Sequence, residues 1–202
     1  GTGHKLEQLL SDEDSGNAAA VMSHTLRHAL ASGLPVLAVT TSDLAPLAHA
    51  DVAARDVLVV PKAAPVRGRG MGDSIAAGVA ARSDSPGWLL LPADMPRVKP
   101  STLQAVAQAL SSHSVAFAQH QGRRGHPVGF SAEMYSELSA LTGDEGARRL
   151  LAQLHVWLQA RQRGILALEL GWELDARRQD APQGQLVVRT ADAVKVPAGS
   201  AL

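Results

Sequence analysis

The chain has 202 residues, with 19 lysines and arginines against 19 aspartates and glutamates, and no cysteine. The zero formal charge argues against a general nucleic-acid binder, which needs a basic excess to displace counterions, and the missing thiols exclude disulfides, thiolate metal sites and a cysteine nucleophile. A hydrophobic content of 46% supports a real core, while an aromatic content of 3% makes that core one of Ala, Val and Leu and argues against single-strand binding by base stacking.

Ala18 to Ser32 carries Val21, Leu26 and Leu30 on a helical period. Val36 to Thr40 and Val57 to Val60 read as buried strands, the second closed by Pro61. Ser74 to Arg82 is an Ala-rich helix candidate, Trp88 to Leu91 a third strand, and Ser101 to Leu110 a helix entered through Pro100. Ser114 to Ala118 is a fourth strand, and Ala132 to Ala140 and Gly146 to Arg161 are two further helices. Ile165 to Leu170 and Leu186 to Val188 read as late strands.

Unbroken apolar strand runs alternating with helices predict an α/β three-layer sandwich with a mainly parallel sheet. Ligands in such folds sit at the carboxyl ends of the strands. No apolar run approaches the ~18 residues of a membrane span, and no charged and then apolar leader is present, so no membrane contact and a cytoplasmic location are expected.

Five segments carry chemistry. Gly1-Thr2-Gly3-His4-Lys5 offers backbone N–H groups and one ammonium to a phosphate, or is simply a frayed end. Arg67 to Ile75 places three glycines and two arginines before a helix, suited either to an anion or nucleotide or to a flexible loop capped by Ser74 or Asp73. Leu91-Pro92-Ala93-Asp94-Met95-Pro96 sets a carboxylate between prolines directly after a strand, where a hard oxygen ligand suits Mg²⁺; capping the next helix is the alternative. Gly122-Arg123-Arg124-Gly125-His126-Pro127-Val128 reads as a basic turn, able to grip phosphate or to serve as a surface hairpin. In Leu141 to Arg148 the acids Asp144 and Glu145 precede a helix and fit its N-terminus.

Taken together, these segments resemble the MobA-like NTP transferases, and within them the molybdenum cofactor cytidylyltransferases. The resemblance spans roughly residues 1–152. It rests on Gly-Met-Gly-x-Ser-Ile at Gly70 to Ile75, Pro-Ala-Asp-Met-Pro at Pro92 to Pro96, Gly-Arg-Arg-Gly-His-Pro-Val at Gly122 to Val128, and Thr-Gly-Asp-Glu-Gly-Ala-Arg at Thr142 to Arg148. It implies a Rossmann-like α/β/α sandwich of the nucleotide-diphospho-sugar transferase type. Residues 1–202 would form one nucleotidyltransferase domain whose part 165–202 diverges.

The implied reaction is Mg²⁺-dependent transfer of CMP from CTP to the phosphate of molybdenum-molybdopterin, with release of pyrophosphate. By position, Lys5 and Asp94 match catalytic residues, and Gly1, Gly3, Lys5, Gly70, Gly72 and Ser74 match nucleotide contacts. Arg123, Arg124 and His126 match an acceptor segment. Asp94 matches a metal ligand, with Asp175 the nearest candidate for a second one.

Two departures stand out. Lys5 follows Gly3 after one residue where the family has a longer phosphate loop behind a first strand, so residues upstream of Gly1 are expected. The family's late Asp-x-Asp-Thr-Pro is reduced here to Leu174-Asp175-Ala176-Arg177 or Val188 to Asp192, each with one acid lost. The alternatives are guanylyl transfer from GTP to molybdopterin, another phosphorylated acceptor, or a non-catalytic accessory protein for a molybdenum enzyme. A molybdenum hydroxylase is the client expected for a protein of molybdenum cofactor maturation.

Overall fold

The computed structural model describes residues 9–11, 18–61, 70–120, 123–143, 165–169 and 187–191. An antiparallel pair, β1 (Leu9–Ser11) and β2 (Ala18–Ala20), runs straight into α1 (Val21–Ala31). Then come β3 (Ala38–Thr40), α2 (Ala45–Asp51), β4 (Val57–Val59), α3 (Met71–Ala81) and β5 (Gly87–Leu90). They are followed by α4 (Pro100–Ala109), β6 (Val115–His120), β7 (Arg123–Ser131), α5 (Tyr135–Ser139), β8 (Ile165–Glu169) and β9 (Val187–Ala191).

The expected Rossmann-like α/β sandwich is present. Among the described residues, β3 and β4 pair in parallel, and five further strands join in the order β5-β7-β6-β8-β9. Helices cover both faces of the larger sheet. On one, Val106 and Ala109 of α4 pack on Ala116 and Ala118. On the other, Val79 of α3 and Leu138 of α5 pack on Trp88, Phe117, Val128 and Phe130.

The scarcity of aromatics has a structural counterpart on the α4 face. A Cβ on Gly129 would come within 2.9 Å of both Leu89 Cδ2 and Val106 Cγ1. Small residues there let helix and sheet approach closely, so apolar area is removed from water without large side chains.

The sheet is mixed rather than mainly parallel, because β7 inserts antiparallel between β5 and β6. The turn read at Gly122 to Val128 is corrected by this: Arg123 and Arg124 open a nine-residue strand, and β6 extends to His120 to pair with Arg123. Gly125 and Pro127 hid that strand, since both residue types are disfavoured inside a sheet. They are accommodated because pairing with β6 shifts between Phe117 and Gln119, and because β5 pairs with residues 128–131 alone.

Other boundaries move by a few residues. The helix read from Ala18 starts at Val21 after β2, and the one read from Ser74 starts at Met71. The helix read over Ala132 to Ala140 divides into a 3₁₀ turn, Ala132–Met134, and α5. The short helix α2, with Pro46 in its first turn, went unread in the sequence. The helix read over Gly146 to Arg161 lies outside the described residues.

Candidate active site

The direction of α3 organises this region. Trp88 Nε1 donates to the carbonyl of Arg82 at 3.1 Å, fixing the end of α3 over the start of β5. Ile75 and Ala76 pack against the same cluster as Leu90. The helix therefore runs opposite to the strand. Its eleven residues span about 16 Å against about 13 Å for the four of β5, which brings Gly70 to Ser74 over the segment that follows Leu90.

Asp94 sits in that segment. Its position is held from α1 through main-chain atoms. Thr25, 3% exposed, donates its hydroxyl to Ala93 O at 2.9 Å, with Val21 O at 3.1 Å as a second acceptor. His28 Nδ1 lies 3.1 Å from Val98 O at the other end of the loop. Replacing Thr25 with Val keeps the volume but leaves the Ala93 carbonyl without this donor. The variant should lose about 1–2 kcal/mol of stability in urea unfolding. It should also lose turnover beyond what partial unfolding explains, because Asp94 is then less well placed.

Register brings the basic strand to the same edge. Leu90 lies opposite Val128, so His126 stands beside the chain leaving β5. Burial pushes the His126 imidazole below its ordinary pKa, and the nearby Asp94 carboxylate acts in the opposite direction. Desolvation is the larger of the two effects, so the charged form of the ring is disfavoured at this edge. Arg124 places its guanidinium 5.0 Å from the centre of the Phe117 ring, on the sheet face that α3 covers. Arg123 is exposed at the hairpin end.

The structure thus brings Gly70, Gly72, Ser74, Asp94, Arg124 and His126 to one edge. Lys5, Gly1, Gly3 and Asp175 lie outside the described residues. Of the two caps considered for α3, Asp73 is the one seen, accepting the Gly70 N–H at 2.8 Å. Thr25 was not singled out from the sequence, since a threonine in an amphipathic helix gives no sign of a partner 68 residues away.

The donor set suits a divalent cation that takes one protein carboxylate and completes its shell with phosphate oxygens and water. Among the described residues no group of three or more His, Asp or Glu side chains forms a self-sufficient metal cage. Also among them, no helix is long and apolar enough to cross a membrane.

The MobA-like NTP transferase domain matches residues 14–158 of the chain. The chain belongs to this family. The match supports a nucleotidyltransferase over an accessory protein.

Among curated proteins, the chain is 36% identical over 85 residues to purine catabolism protein PucB of Bacillus subtilis (strain 168), covering 41% of each. The chain thus aligns with about two-fifths of that relative's length. Among solved structures it is similar to Rv0371c of Mycobacterium tuberculosis H37Rv, at 26% identity and a TM-score of 0.59 over 86% of this chain and 84% of that one. The complex of Rv0371c with manganese superposes with a TM-score of 0.60 at 26% identity, covering 86% of this chain and 88% of that one.

Proposed function

We propose that the protein transfers CMP from CTP to the phosphate of a molybdopterin-type acceptor carrying molybdenum, using Mg²⁺. The reading is carried by the juxtaposition of Asp94 and His126 at the carboxyl edge of β5, below the glycine-rich start of α3. The family match and the manganese bound by Rv0371c support a divalent cation beside a nucleoside triphosphate.

In this reaction an acceptor phosphate oxygen attacks the α-phosphorus of CTP in line. One P–O bond forms, the bond to the β-phosphate breaks, and pyrophosphate leaves. No covalent nucleophile is required of the protein; orientation and charge neutralisation suffice. Asp94, with Asp175 as the second candidate, would hold the cation, which when bound offsets triphosphate charge. Gly1, Gly3 and Lys5 would flank the triphosphate, and Gly70, Gly72 and Ser74 the cytosine. Arg123 and Arg124 would orient the acceptor phosphate. His126, whose charged form burial disfavours, contributes a hydrogen bond or stiffens the strand. A single domain over 1–202, a cytoplasmic location and a molybdenum hydroxylase as recipient of the product complete the proposal.

Pyrophosphate release in the presence of molybdopterin tests it. CTP should exceed GTP by about tenfold or more in kcat/KM, because a site built to hydrogen-bond one base leaves buried groups unpaired with another. A preference for GTP would replace the reading with guanylyl transfer. Changing Arg123 and Arg124 together to Ala should raise the acceptor KM about tenfold with the CTP KM unchanged. An equal loss of CTP affinity would move these arginines to the triphosphate.

A further inference from the structure

Asp73 has no role in the reaction just described, yet it joins two segments at its edge. One carboxylate oxygen accepts the Gly70 N–H at 2.8 Å and the Gly143 N–H at 2.9 Å, the second from 70 residues away. The two segments are also pressed together. A Cβ on Gly72 would fall 2.6 Å from Gly143 O and 3.2 Å from the Thr142 backbone, and Gly143 adopts φ +62, a conformation that favours glycine. The first turn of α3 and the Thr142–Gly143 loop therefore form one continuous lip.

We propose that Asp73 is a positioning residue that holds this lip closed and so sets discrimination between nucleotide bases, an inference that rests on the nucleotidyltransferase reading. Two physical consequences support it. First, the Gly70 and Gly143 N–H groups are already committed to the carboxylate and are not donors for a phosphate. Second, a negative charge in the first turn satisfies the positive end of the helix and repels a triphosphate from it. What the lip contacts is then the uncharged, hydrogen-bonding part of the nucleotide. Hydrogen bonds weaken steeply with misalignment, so a lip that opens by an ångström loses its preference before it loses contact.

The experiment compares wild type, Asp73→Ala, Asp73→Asn and Gly72→Ala. Amide exchange by NMR is read first, in the protein without nucleotide. Asp73→Ala should lose protection at both Gly70 and Gly143 while the β5–β7 amides keep theirs; loss at one glycine or neither overturns the bridge. The CTP to GTP ratio of kcat/KM is read second. It should fall about tenfold in Asp73→Ala, mainly through KM, and recover largely in Asp73→Asn, which keeps an acceptor oxygen of the same reach. Gly72→Ala should show the same fall with Asp73 intact, which keeps the test open where Asp73→Ala folds poorly.

A purely structural role would lower the melting temperature of Asp73→Ala and leave the ratio unchanged, and that result overturns the proposal. A wild type that uses neither nucleotide overturns the nucleotidyltransferase reading and this role with it. A discriminating wild type with an equally discriminating Asp73→Ala overturns this role alone.

Discussion

Asp94→Asn should reduce nucleotidyl transfer by about two to four orders of magnitude, since the change removes several kcal/mol of charge stabilisation and each 1.36 kcal/mol is a factor of ten. The amide has the shape of the carboxylate but not the charge that a divalent cation requires. The fold should be unaffected. The loop is tied to α1 through the main-chain carbonyls of Ala93 and Val98, and the substitution touches neither. Turnover with CTP, far-UV circular dichroism and the melting temperature together check this. A variant with near-wild-type turnover would remove Asp94 from the metal site and with it the observation that carries the proposed function.

Phe130→Ala should be the most destabilising of the changes considered, at about 3–5 kcal/mol. Phe130 is 1% exposed and lies opposite both Trp88 of β5 and Val115 of β6, so it joins both neighbouring strands to the α3–α5 layer. Truncation leaves a cavity among Val79, Trp88, Val115, Phe117, Val128, Met134 and Leu138 that the packed cluster closes only in part. The melting temperature should fall by roughly 10 °C for a chain of this size. Since β7 also carries Arg124 and His126, activity should be lost at a lower temperature than in wild type, following the unfolding curve. A loss below about 1 kcal/mol would mean that Phe130 does not anchor the packed core.

Asp94 and Phe130 are encoded at different levels, one local and one tertiary. That Asp94 closes a strand is legible locally, from an apolar run ended by Pro92 and Pro96. That Phe130 is central was not, because Gly125 and Pro127 made the preceding residues look like a turn. The bulge that absorbs them depends on how β6 is registered against β7, and register is a property of two strands rather than of one.

The sequence by itself determined the α/β class, the places of α1, β3, β4, α3, β5, α4, β6, β8 and β9 within a few residues, and the four motifs that carry the family resemblance. These are short-range features: apolar periodicity, proline and glycine punctuation, and spacing within single loops. The tertiary structure alone decided which of those loops meet. It set His126 beside Asp94 by pairing Leu90 with Val128. It placed Thr25 beneath Ala93, and it gave Asp73 a second partner at Gly143. Each of these contacts spans tens of residues and results from strand register and helix direction. A local pattern does not encode them, because the same aspartate after the same glycines would cap its own helix whether or not a distant loop came to share it.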